Sequence, residues 1–195
     1  MLKYNIIDIL VEKIFLTTDQ KVIKYTSWAL CGLVTGGQKL PKKRIAINAL
    51  IKLIMTQEDL EVLAQSLTAL LDLMDESIVQ ILIDSKLVAR LFLIAKHRYK
   101  NILFPLLQIV SFVSNGTDSQ TQCIIDCGGI DIIFSLLEDP GMDLYCRKEC
   151  LWIISNIIVG TYDQMKFIFS RPNWVMILLS FTKHENIKVS ISPSI

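Results

Sequence analysis

Histidine, glycine and proline are all scarce in this chain. His97 and His184 are its two histidines, far apart in sequence, so it offers no histidine cluster around which to build a metal or acid–base centre. Glycine-rich phosphate loops, nucleophile motifs and suitably spaced carboxylate pairs are missing as well, and the chain is expected not to be an enzyme. Long apolar runs are absent. The longest, over 102–113, is interrupted by Pro105, Gln108 and Ser111, short of the ~18 apolar residues that a membrane span needs. The first fifteen residues interleave Lys3, Asp8, Glu12 and Lys13 with apolar positions, an amphipathic helical pattern rather than a secretory signal. No membrane partner is expected. An excess of one charge is missing too: 20 basic and 19 acidic residues leave a net +1, which gives no electrostatic case for nucleic acid. The one basic cluster, over 39–44, reads as a solvated loop, with a weak phosphate or membrane contact as the alternative.

Cysteine is present in odd number: Cys31, Cys123, Cys127, Cys146 and Cys150. Without a secretory signal this favours reduced thiols in a cytoplasmic or nuclear setting. Cys123/Cys127 and Cys146/Cys150 each stand four apart, on one helix face per pair. A zinc site would require all four to converge. The other reading, small buried core residues, is the one adopted, and no metal or cofactor is expected. The triplet Asn115-Gly116-Thr117 fits a glycosylation acceptor, which without a secretory route is a chance match.

What the chain has in abundance is apolar helix. It is 52% hydrophobic with a mean hydropathy of +0.46, and no alternating strand pattern persists. A tryptophan-centred helical signature occurs at Trp28 and again at Trp152. Degenerate copies centred on Thr68 and Gln108 lie between, giving intervals of 40, 40 and 44 residues. A helical period near ~40 residues marks an α-solenoid of the armadillo or HEAT kind. Turn and capping residues, among them Asp75, Ser85, Gly128-Gly129, Pro140-Gly141 and Gly160-Thr161, divide the chain into triplets of one short, one medium and one longer helix. The clearest triplet comprises helices over 119–127, 130–138 and 143–159. The one before it comprises 76–84, 86–97 and 102–114. Earlier come a pair over 45–55 and 58–74, preceded by a weakly patterned 36–44, and an opening helix over 4–15. A helix is expected over 174–183. The reading is thus an array over 1–184 of about four repeats, incomplete at both ends, and an irregular tail over 185–195. Unstacked end helices would expose apolar faces, so self-association through the ends and faster amide exchange there are expected.

Residues 105–122 (PLLQIVSFVSNGTDSQTQ) resemble the importin-α pattern PALRxVGNIVTGxDxQTQ, and Ile125-Asp126-Cys127-Gly128 follows as in its VIDAG. Residues 147–160 (RKECLWIISNIIVG) resemble KKEACWxISNIxAG, and 28–36 (WALCGLVTG) resemble WxLSNLCRG. On these segments the chain resembles the middle repeats of importin-α, the armadillo adaptor that carries nuclear-localisation-signal cargo. The resemblance implies an all-α, right-handed superhelix of three-helix repeats that binds basic Lys/Arg-rich peptides in a concave groove, in cytoplasm and nucleus. Direct recruitment of importin-β is not expected, because the basic amino-terminal segment that serves it is not found here.

The resemblance also implies where the peptide would lie. In the family a Trp and an Asn one turn apart face the groove. Side chains at i and i+4 share a helix face. Indoles form slots for Lys or Arg stems with cation–π attraction, and the Asn amide clamps the peptide backbone. Trp152 and Asn156 keep that pair, with Glu149 one turn earlier to take a charged head. An isolated helical tryptophan is more often core, but inside this motif Trp152 is read as groove-facing. Trp28 lacks its Asn, replaced by Gly32, and both groove and core remain open for it. Thr68 with Asp72, and Gln108 with Phe112, are the decayed pairs. Asp72 is either solvated or lysine-binding, and Phe112 is either an exposed aromatic or packed on a neighbour. Asn115, Gly116 and Asp118 complete the candidate peptide-binding set. Trp174, outside the signature, is assigned to packing or an exposed end. The alternative function is a scaffold solenoid that has lost cargo recognition, whose groove would be neutral or apolar rather than acidic.

Overall fold

The computed structural model describes residues 2–36, 42–172 and 174–176, with side chains from residue 6 onward. Its helices are α1 (Leu2–Leu16), α2 (Gln20–Thr35), α3 (Lys43–Thr56), α4 (Leu60–Asp72), α5 (Glu76–Asp84), α6 (Leu87–Ala95), α7 (Lys100–Ser114), α8 (Asp118–Asp126), α9 (Gly129–Leu137), α10 (Leu144–Val159) and α11 (Tyr162–Phe169). No strand occurs among the described residues. The expected tail, most of the helix over 174–183 and residues 39–41 of the basic cluster lie outside the described residues.

Two kinds of helix start recur, and they mark position within the repeat. Short first helices and long third helices open on a side-chain cap: Asp19, Asp59, Asp75, Thr117, Asp143 and Thr161 each accept from backbone N–H groups of the next turn. Second helices open instead on a left-handed residue, Lys42 (φ 78°) before α3, Lys86 (φ 61°) before α6 and Gly128 (φ 72°) before α9. Only Gly takes that conformation without steric cost. α7 is the exception among third helices. Its cap position, Tyr99, makes no side-chain bond, and Pro105 sits inside it and supplies no N–H to the turn before.

Packing repeats with the same period. Second helices stack in the series α1, α3, α6, α9, and third helices in the series α2, α4, α7, α10. The buried core runs unbroken between them, through Leu50, Leu53 and Ile54 of α3, Leu67 and Leu70 of α4, Leu91 and Phe92 of α6, Leu106 and Val110 of α7 and Ile153 of α10. Each such side chain contributes about 1.5–3 kcal/mol by leaving water. Polar ties join successive repeats at the rim. Arg90 of α6 donates to the carbonyls of Ile54 and Gln57 at the end of α3, and pairs with Glu58 at 2.6 Å. Arg98 reaches Asp139 at 2.6 Å and Ser135 at 2.8 Å. Gln164, in the first turn of α11, donates to the Asp118 carbonyl and to Gln122, fixing α11 against α8. Among the described residues no single helix is long and apolar enough to cross a membrane.

Candidate functional site

The third helices present one continuous face, on which the tryptophan signature falls. On α10, Trp152 is 36% exposed. Its neighbours on the helix are Cys150, Ile153 and Ile154, all buried, so the helix turns its apolar stripe inward and leaves the indole outside the core. Asn156 lies one turn on and is half-buried. Its amide Nδ2 donates to Ser114 Oγ of α7 at 3.0 Å, a bond that spans one repeat. Glu149 lies one turn before Trp152 and is also half-buried. Burial pushes its carboxyl above the usual range, partly opposed by a hydrogen bond with the Ser111 side chain of α7. Thus α7 engages the amide that follows Trp152. The exposed Phe112 and Tyr145 extend the face, and Tyr145 meets the Phe104 ring edge-on at 6.0 Å.

At Trp28 the arrangement is closed. The indole is half-buried, its Nε1 is shielded from solvent, and it has no hydrogen-bond partner among the described residues. Tyr25 packs edge-on at 5.6 Å, and Lys24 Nζ stands 5.3 Å from the ring centroid. Lys24 is held there from α4, by Glu61 at 2.8 Å and by the cap residue Asp59 at 3.4 Å. The Glu61 carboxylate chiefly, against desolvation and with help from Asp59, keeps the Lys24 ammonium above its usual range. A lysine of the chain therefore makes the cation–π contact that the resemblance assigns to a ligand. The Trp152 ring, by contrast, is 36% exposed. A Cβ at Gly32 would meet nothing within 4 Å, so the missing Asn leaves vacant space rather than a refilled one.

The remaining candidates lie apart from that turn or serve the fold. Asp72 is exposed at the end of α4, and Thr68 gives its hydroxyl to the Ala64 carbonyl. Asn115 caps the end of α7. A Cβ at Gly116 would fall 2.2 Å from the Gln120 side chain, which reaches back to the Thr117 N–H in a capping box. The Asp118 carbonyl accepts from Gln164, while its side chain is exposed. Trp174 stacks on Phe169 at 4.5 Å. The cysteines sit in or against the core. Burial raises the thiols of Cys31 and Cys127 to about 11 and that of Cys146 to about 12, and pushes Cys150 up further. Such thiols stay protonated at neutral pH.

Sequence reasoning did not single out Ser111, Ser114, Lys24, Tyr25 or Tyr145. For the two serines a signal existed: they stand where the quoted pattern has Gly and Val. The lysine had none, since its ion pairs come from a helix about 35 residues away.

Residues 117–159 match the armadillo/β-catenin-like repeat family. Importin subunit alpha-1a of Oryza sativa subsp. japonica is 31% identical over 157 residues, covering 78% of this chain and 30% of that protein. Importin subunit alpha-7 of Arabidopsis thaliana is 33% identical over 130 residues, covering 65% of this chain and 24% of that protein. The chain therefore spans less than a third of the length of these relatives. Among solved structures, a designed armadillo repeat protein in complex with the peptide (KR)4 superposes with a TM-score of 0.74 at 20% identity, covering 91% of this chain and 74% of that one. A computationally designed armadillo repeat protein for modular peptide recognition gives 0.71 at 20% identity, covering 82% and 68%. The repeat period, the two stacked helix series and these matches together place the chain in the armadillo-repeat family, with importin α subunits as its relatives in sequence.

Proposed function

We propose that the third-helix face binds an extended basic peptide of the nuclear-localisation-signal kind, weakly, and that the chain is a non-catalytic, adaptor-like module of nuclear import working in cytoplasm and nucleus. The observation that carries this reading is Trp152, exposed outside the core and followed one turn later by the half-buried amide of Asn156. An aliphatic stem laid on that indole and a backbone unit held by the amide form one recognition step. The importin α names of the relatives and the (KR)4 ligand of the designed neighbour support the ligand class. Weakness is expected because Gly32, Asp72 and Phe112 stand at the other Asn positions and the Trp28 ring is already occupied by Lys24.

Fluorescence anisotropy with a labelled Lys-rich localisation peptide tests the reading. Binding is expected near ~100 μM, equivalent to about −5 kcal/mol. Trp152→Ala is expected to weaken it at least about tenfold, the loss typical of an aromatic hot spot. Affinity indifferent to that substitution would contradict the proposal. A complete lack of binding would favour the scaffold reading, for which the engagement of Asn156 by α7 is the favouring observation.

A further inference from the structure

We propose that Ser114 of α7 is a positioning residue that fixes the Asn156 amide in the orientation needed to clamp a peptide backbone. The inference rests on the peptide-binding reading of this face and adds to it a residue that contacts no ligand. Ser114 is 2% exposed, below the surface that a peptide would touch. Its hydroxyl donates to the Ser111 carbonyl at 2.8 Å. A hydroxyl has one proton, so Ser114 Oγ meets its other neighbour only as an acceptor. Asn156 therefore turns its NH2 group, not its carbonyl, toward Ser114, at 3.0 Å. One N–H is used in that bond. The other N–H and the Oδ1 oxygen stay available, and together they match the C=O and N–H of one extended peptide unit.

Asn156 without this bond would choose between two orientations that differ by a flip of the amide, and only one presents the donor and acceptor in this order. The Ser114 backbone is itself held, because its carbonyl accepts from the Thr121 hydroxyl at 3.3 Å. Ser114 stands where the resembling pattern has Val, a residue that cannot form such bonds, so the device belongs to this chain's own sequence.

The test compares Ser114→Thr with Ser114→Val in the full chain, two side chains of one shape that differ by a hydroxyl. Each is made with Asn156 and with Asn156→Ala. Using the labelled Lys-rich peptide, the Val variant is expected to bind about threefold to tenfold more weakly than the Thr variant, the range of one neutral hydrogen bond. That difference is expected to vanish when Asn156 is Ala, which loss of packing alone would not produce. The Asn156 side-chain NH2 protons give a readout independent of any ligand. Two exchange-protected resonances displaced from free-amide positions are expected with Thr, and two unprotected resonances at free-amide positions with Val. Equal NH2 spectra in the two variants, or an affinity difference that survives Asn156→Ala, would overturn the proposal. If the unmodified chain fails to bind the peptide, the functional reading fails, and the NH2 spectra alone decide the positioning claim.

Discussion

Lys86 and Gly129 are single positions at which backbone or packing geometry makes a definite demand. Lys86 begins α6 at φ 61°, where its repeat counterpart before α9 is Gly128. A side chain in the left-handed region costs about 1–2 kcal/mol, and glycine's extra chain entropy offsets part of it. Lys86→Gly is therefore expected to stabilise the chain by up to about 1 kcal/mol. Gly129 is the opposite case. A Cβ there would lie 2.4 Å from two ring atoms of the buried Phe92 and 2.8 Å from the Ile124 carbonyl. Gly129→Ala is expected to destabilise by about 1–3 kcal/mol, the cost of overpacking. Denaturant midpoints measure both, and equal shifts in the same direction would contradict the geometry. Glu149 makes a demand on pH. Its folded value lies above the unfolded one, so its contribution to stability is present at low pH and is lost as pH rises through the raised value. Glu149→Gln keeps a partner for Ser111 and removes the buried charge. A higher melting temperature at neutral pH, and no gain at low pH, is the expected result; a lower one at neutral pH would contradict the assignment.

At the scale of elements, helix starts were legible at several of the side chains that make them. Asp75 announced α5 and the turn at Pro140-Gly141 placed α10 within a residue, whereas Gly160-Thr161 was read only as a turn and α11 was not among the expected helices. The starts of α6 and α7 were harder to place. Lys86 adopts a glycine conformation without being glycine, so it read as the first helical residue rather than the turn before it. α7 begins at Lys100, whereas the apolar period suggested 102, because its first turn has no side-chain cap and Tyr99 and Asn101 give no periodic signal. The Trp152–Asn156 pair was legible because i, i+4 spacing on a helix survives any tertiary detail. Its tie to Ser114 was not, since it links residues 42 apart through the register of α10 on α7, which only the folded array defines. The same holds for Lys24, placed on Trp28 by two carboxylates of α4.

For the whole molecule, the stacked third helices turn isolated signatures into a single face with unequal sites. Near α2 the indole is covered by an internal lysine. Midway, Asp72 and Phe112 stand where backbone clamps would be expected. At α10 the indole is exposed and the Asn156 amide donates to Ser114 of α7. On the proposed function, ligand binding is localised at the last of these. The three tryptophans, Trp28, Trp152 and Trp174, make that claim directly measurable, because each indole N–H gives its own nitrogen–proton correlation in a magnetic resonance spectrum. Titration with a Lys-rich localisation peptide is predicted to move the Trp152 indole signal saturably, while those of Trp28 and Trp174 stay nearly still. An unmoved Trp152 signal, or a saturable shift confined to Trp28 or Trp174, would contradict it.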